Sequence, residues 1–234
     1  MVAVEQNRYG QPVGDVVANW HVPRHPERTL LEGRFVRVEP LEPSRHGADL
    51  LGALGLDGPL WTYLPVGPFA GRDAFAGWLE RAATGQDPLA FALVGRAPQR
   101  ALGLASYLRI DPDAGSIEVG GLAFGPALQR TAAATEAMAL MMAHAFDDLG
   151  YRRYEWKCDA LNAPSRRAAL RLGFVFEGVF RQARVVKGRN RDTAWFSITD
   201  REWPRCRDAL SAWLASENFD PAGHQRRTLA DIRS

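Results

Sequence analysis

From residue 31 onward, runs that alternate apolar with polar positions give way to helical stripes and back again. The segment 35–40, Phe-Val-Arg-Val-Glu-Pro, alternates and closes on proline, which predicts a first strand. Ser44 is placed to cap a helix running to about Leu54. Residues 55–71 are rich in Gly and Pro yet hold Trp61, Tyr63, Leu64 and Phe69. A loop that long and that aromatic is expected to cover something. A helix over 72–83 follows, with Phe75, Leu79 and Ala82 on one stripe. Strands are predicted over 89–95, 101–110 and 116–124, and the short turns between them favour an antiparallel meander.

After Gly125-Pro126 the period changes. Ala134, Met138, Met141, Ala145 and Leu149 fall on one helical face, and Gly150 stops that helix. A strand over 154–158 and a short helix over 164–172, ended by Gly173, come next. Strands over 174–186 and 192–199 flank a polar tip at 187–191, and a last helix spans 202–215. The order β α α β β β α β α β β α predicts one α+β domain around a mixed, mostly antiparallel sheet. Residues 1–30 read as an irregular arm, either mobile or laid over the surface with Trp20 and Val22 as its apolar anchors, and 217–234 as a polar, frayed tail. The domain proper is 31–216.

Composition narrows the class. The 234 residues are 46% hydrophobic and 24% charged, enough for one core and ordinary for a globular chain. A net charge of +2 does not support nucleic-acid or membrane binding by bulk electrostatics. The two cysteines, Cys158 and Cys206, do not suggest a secreted disulfide scaffold, and no Cys/His cluster has zinc-ligand spacing. His21 and His25 sit in a proline-broken segment and read as loop residues. No apolar run reaches the ~18 residues of a membrane span. The N-terminus lacks the pattern of a signal peptide, so the expected location is cytoplasmic.

The richest chemistry lies in 116–136, where a strand runs into the first turn of a helix, Gln129-Arg130-Thr131-Ala132-Ala133-Ala134-Thr135. The first N–H groups of a helix lack internal partners and carry partial positive charge, so they bind phosphate where side chains are small. The same residues also fit a plain alanine-rich helix start. This segment resembles the acetyl-CoA motif of the GCN5-related N-acetyltransferases, Gln/Arg-x-x-Gly-x-Gly/Ala, and specifically their RimJ/RimL-like branch. Ala132 stands where the motif has its central glycine. The resemblance extends through Glu32–Leu41, Leu60–Phe69, Lys157–Ser165, Leu172–Gly178 and Lys187–Asp192, in the family's order, over roughly residues 31–205.

The resemblance implies a sheet whose two parallel central strands splay to admit the pantetheine arm of acetyl-CoA. The backbone of Leu122, Ala123 and Phe124 would hold that arm, residues Gln129 to Thr135 the pyrophosphate, and Asn162 and Ser165 would face the pantetheine. Asn162 also reads as a plain helix cap before Pro164. Glu118 is the candidate base, on the face opposite Ile117 and Val119, against the alternative of an exposed strand residue. Many relatives carry a tyrosine general acid seven residues after the asparagine; that position is Ala169, so either a thiolate leaves without a dedicated acid or Ser165, or a water it holds, is the candidate donor. Trp61, Tyr63 and Phe69 are expected to line or lid the acceptor pocket. Arg181, Arg184, Lys187, Arg189 and Arg191 read as a solvated rim, or as a site for the cofactor's 3′-phosphate or an acidic acceptor. The expected reaction is acetyl transfer to a primary amine, on a protein N-terminus or a small molecule. A non-catalytic acyl-CoA-binding module and a transferase using a longer chain such as succinyl-CoA are the alternatives, and a homodimer is the expected assembly.

Overall fold

The computed structural model describes residues 5–233. Strands β1 (Leu31–Glu32) and β2 (Val36–Pro40) precede helices α1 (Pro43–Leu54) and α2 (Arg72–Thr84). Then come β3 (Leu89–Gly95), β4 (Ala101–Asp111), β5 (Ser116–Phe124) and α3 (Ala132–Ala143). Strand β6 (Arg153–Asp159), α4 (Ala163–Leu172), the hairpin β7 (Val175–Val186) and β8 (Arg189–Thr199), α5 (Trp203–Leu214) and α6 (Leu229–Arg233) complete the chain. The strands form one eight-stranded sheet in the order β1-β2-β3-β4-β5-β6-β8-β7. Every neighbouring pair is antiparallel except β5 with β6. This is the mixed, mostly antiparallel α+β arrangement that the periodicity predicts.

Alternation sorts the strands' side chains onto two unequal layers. On one face, Phe91, Tyr107, Ile117, Val119, Tyr154, Trp156 and Phe196 pack under α3, α4 and α5. On the other, Ala90, Ala92, Leu104 and Ala123 pack under α1 and α2 through Leu50, Leu54, Phe75 and Leu79. The second layer stops at β5. Beyond it, among the described residues, the same face of β6 and β8 carries Glu155, Lys157, Trp195 and Ser197 rather than a core, which leaves an open floor beside the β5–β6 junction.

Four elements depart from the sequence reading. Helix α1 starts at Pro43 with Glu42 at its N-cap and no side-chain cap bond, so Ser44 lies inside its first turn and does not cap it. The helix of 134–149 does not run uniformly: α3 widens into a π-type turn at His144–Asp148, where the buried Tyr107 hydroxyl donates to the Met141 carbonyl at 2.7 Å. The hairpin tip is only Lys187-Gly188, both at positive φ, so 189–191 belong to a strand instead of a loop. The tail is not frayed. Leu229 is 1% exposed, Asn218 bonds the Trp213 and Arg227 carbonyls, and the Arg233 guanidinium donates to the Arg171 carbonyl at 2.6 Å. Of the arm, Trp20 does dock, against Arg152 and Gly115, while Val22 is exposed. No described helix is long and apolar enough to cross a membrane.

Candidate active site at the splayed strands

The parallel ladder between β5 and β6 runs from Ser116 opposite Arg153 to Val119 opposite Trp156 and goes no further. Beyond that point each strand follows its outer neighbour. Strand β5 stays with β4 (Leu104 opposite Ala123, Gly103 opposite Phe124), and β6 stays with β8 as far as Asp159 opposite Thr193. The parting begins at a bulge. Between Ser106 opposite Gly120 and Leu104 opposite Ala123, β5 takes three steps to β4's two. Gly121 absorbs the extra residue at φ +60°, a conformation that costs other residues roughly 1–2 kcal/mol. From Gly120 to Phe124 the side of β5 that faces β6 is therefore without a strand partner. Leu122, Ala123 and Phe124 border the gap, with the Ala123 methyl turned into the α1/α2 core.

The gap leads to the N-terminus of α3. Gln129 does not offer its side chain outward: its Nε2 donates to the Phe124 carbonyl at 2.7 Å, closing the turn. Thr131 caps the helix, its Oγ1 accepting from the Ala134 N–H at 3.1 Å and donating to the Leu128 carbonyl at 2.6 Å. The main-chain N–H groups of Arg130, Thr131, Ala132 and Ala133 find no partner among the described residues. Arg130 is held at φ +61° in the middle of this turn, with its side chain exposed. Four free donors at a helix start, ringed by methyl groups, make a cradle for an anion. Thr135 is deeper: it is buried, and its hydroxyl accepts from Arg171. Glu136 faces away from the cradle, and its carboxylate accepts the N–H groups of Arg34, Phe35 and Val36 at 2.9, 2.6 and 3.0 Å.

Across the gap, Asn162 caps α4, its Oδ1 accepting from the Ser165 N–H at 3.1 Å. The Ser165 oxygen accepts from the Trp156 indole at 3.0 Å, beside the Cys158 thiol. Cys158 is free, and burial pushes its thiol up, away from the reactive thiolate. Ala169 lies wholly in the core, so no hydroxyl reaches the gap from that position.

Glu118, on β5 just before the strands part, is 3% exposed and faces the open floor. It is not the solvated strand residue of the alternative reading. Lys157 Nζ lies 3.0 Å from its Oε2, and Arg109 Nη1 donates to the same oxygen. Lys157 also meets Glu155 at 2.5 Å and sits 3.7 Å over the Trp195 ring. Arg153 joins Glu155 to Glu177, so acids and bases alternate from the gap to the outer strand. Burial raises the Glu118 carboxyl above its ordinary 4.5, and the two cations only partly oppose it. Arg109 reaches this position from a second bulge: its backbone is at φ +48°, and the Asp87 carboxylate accepts its N–H and that of Ile110. Arg109, Glu155, Lys157 and Trp195 border a cleft of about 550 Å³. None of these four was singled out from sequence. The signal was the charged residues at every second position of 153–159, a strand face too polar for core.

Of the three aromatics expected to line or lid the pocket, only Tyr63 reaches the gap. Trp61 is 1% exposed and packs edge-on against Phe69 and Trp78 in the α1/α2 core. Phe69 belongs to the same cluster, against Phe75. Tyr63 does span the opening, its hydroxyl donating to the Leu161 carbonyl at 3.3 Å. From the hairpin tip, Lys187 Nζ donates to the Trp61 carbonyl at 2.5 Å. Both tethers tie this loop, the roof of the gap, to the β6–β8 side.

This geometry has close relatives. A solved GCN5-related N-acetyltransferase from Brucella melitensis is 50% identical, with a TM-score of 0.90 over 93% of this chain and 99% of that one. A probable GNAT-family acetyltransferase from Chromobacterium violaceum is 42% identical, with a TM-score of 0.77 over 83% and 98% of the two chains. The uncharacterized N-acetyltransferase p20 of Bacillus licheniformis is 27% identical over 160 residues, 67% of this chain and 89% of that protein. Residues 37–175 match the family model for the acetyltransferase (GNAT) domain, and with more than half of the chain inside that match the protein belongs to the GNAT acetyltransferase family.

Proposed function

We propose that this chain is an N-acetyltransferase of the RimJ/RimL-like branch, moving an acetyl group from acetyl-CoA to a primary amine in a ternary complex. The observation that carries the reading is the parting of β5 and β6 in front of four unpartnered N–H groups at the start of α3. A gap edged by free backbone fits an amide-bearing arm, and the cradle fits a pyrophosphate, so the residues present suit acetyl-CoA. The cradle is formed by the backbone of residues Arg130 to Ala133, and Gln129, Ala134 and Thr135 shape it. Leu122, Ala123 and Phe124 offer the strand edge. When bound, acetyl-CoA supplies the activated acyl group.

The remaining work falls to side chains. The acceptor amine must lose a proton to become a nucleophile. Glu118 takes it, directly or through one water, because burial has raised its proton affinity while Lys157 and Arg109 fix its orientation. The Glu155–Arg153–Glu177 chain holds that assembly from behind. The Ser165 oxygen accepts from Trp156 and its hydroxyl also meets the Cys158 thiol, so it would turn from Cys158, or act through a water it holds, to protonate a departing thiolate. Tyr63 and Lys187 keep the roof closed over the acceptor side.

Calorimetry with CoA and acetyl-CoA tests binding, and thiol release across a panel of amines and N-terminal peptides tests turnover. Binding with release supports the enzyme. Binding without release across the panel favours the non-catalytic module, and no binding at saturating acetyl-CoA ends both readings.

A further inference from the structure

We propose that the acceptor-side mouth of the gap is a carboxylate-binding site, formed by Arg191 and Arg184 with Arg109 opposite, which selects an acidic acyl chain or an acidic acceptor. It rests on the acyl-transfer reading above and adds the charge class of one substrate.

Arg191 lies on β8 at the same parity as Thr193 and Trp195, so it points onto the open floor that holds Lys157 and Glu118. Its partner across the hairpin is Arg184. That pairing is built, not incidental. From Phe180 opposite Thr193 to Arg184 opposite Arg191, β7 takes four steps to β8's two. An unbulged ladder would set Gln182 against Arg191; the bulge sets a second arginine there. Gln182 holds φ +50° to make the bulge, and the Asp192 carboxylate accepts its N–H at 2.7 Å and the Asn190 amide at 3.0 Å. Like charges directly opposite on a sheet are unfavourable.

The nearby Asp159 carboxylate offsets part of this repulsion, but the Arg191 guanidinium keeps an unmet donor. The Arg191 Nε is buried and without a hydrogen-bond partner. Burial lowers the guanidinium's pKa, and Arg184 and Arg109 add to that, with Asp159 opposing. Asp159 Oδ1 accepts from the Leu161 N–H, and Lys187 is engaged with the Trp61 carbonyl. Arg109 commits one nitrogen to Glu118, with its side chain 40% exposed. A carboxylate is the planar anion a guanidinium fork grips in two places.

Calorimetry on the intact protein tests this in two arms. The first compares succinyl-CoA with butyryl-CoA, a neutral chain of equal length. The second adds, to protein saturated with CoA, the tetrapeptide Glu-Glu-Ala-Ala or Gln-Gln-Ala-Ala. One arm should favour its acidic member by about tenfold or more, and the arm that does so names the source of the carboxylate. Arg191→Gln and, separately, the exposed Arg184→Gln should erase that preference and leave CoA affinity within about twofold. Equal affinities in both arms, or a preference kept in both variants, overturn the site. Failure of CoA itself to bind the wild type would instead remove the acyl-transfer reading, because CoA carries neither acidic group.

Discussion

Replacing Glu118 by Gln removes one charge and little volume from a site where function and stability make opposite demands. Loss of one partner from a buried ion pair commonly costs about 3–5 kcal/mol. Here the cost should be below about 1 kcal/mol at pH 7. Lys157 keeps Glu155 at 2.5 Å, and the side chain of Arg109 is 40% exposed and can be hydrated. Burial already makes the ionised Glu118 costly enough that its pKa is raised despite both cations, and each unit of such a shift is about 1.4 kcal/mol. The unfolded chain releases this proton near 4.5 and the folded chain at higher pH. Over that window the folded state holds more proton, so the wild type loses stability as pH rises, and the variant does not. Urea unfolding at several pH values should therefore show E118Q gaining on the wild type with rising pH.

Activity should move the other way. A positioned base contributes about 10²–10⁴ in rate, so kcat/KM should fall at least a hundredfold at pH 7 with CoA affinity unchanged. The wild type should lose activity tenfold per pH unit below the raised Glu118 pKa, and E118Q should lack that limb with the same acceptor. A variant that unfolds more easily by 3 kcal/mol, or that keeps both its rate and the acid limb, would refute the reasoning.

Ala132→Asp should raise or preserve the melting temperature, since an acid in a first helical turn is worth about 0.3–1 kcal/mol, yet weaken CoA binding at least tenfold by calorimetry; unchanged affinity would remove the cradle as the phosphate site. Glu136→Ala leaves three N–H groups at the start of β2 unmet and should cost about 3–5 kcal/mol in urea unfolding; a loss under 1 kcal/mol would contradict its stapling role. Leu229→Ala should cost about 2–5 kcal/mol if the tail is part of the core, and a melting temperature equal to wild type would show that it is not.

The strands of the meander and the helix stripes were legible because alternation and 3.6-residue spacing report a chain's own burial pattern. Residues 89–95 and 116–124 are strands over the bounds that pattern suggests. The cradle was legible for a related reason: its donors are backbone, and a strand running into a small-residue helix start declares them. What the pattern missed depends on partners distant in sequence. Glu136 looked like a neighbour of the phosphate loop, but its partners are Arg34, Phe35 and Val36, a hundred residues away. Trp61 looked like a wall or lid of the pocket because an aromatic in a Gly/Pro loop has no periodicity to say which way it turns; α2 supplied the hydrophobic surface that took it.

The candidate chemistry sits where local rules are broken, and the breaks share one cause. A parallel pair ends at Val119, and each later strand must choose between its two neighbours. One bulge, at Gly121 on β5, falls where the pair parts, and two more flank the site, at Arg109 on β4 and at Gln182 on β7, each with its residue at positive φ. Only the first is a glycine and readable as such. The other two are an arginine and a glutamine, held by the carboxylates of Asp87 and Asp192. Nothing in the sequence pattern marks those two acids, yet they hold the bulges that carry Arg109 and Arg184. Strain at non-glycine positions persists only where surrounding contacts over-determine it, and here those contacts aim guanidinium groups at one floor. Which cations face the floor is thus set in part by two aspartates that hold the backbone behind them.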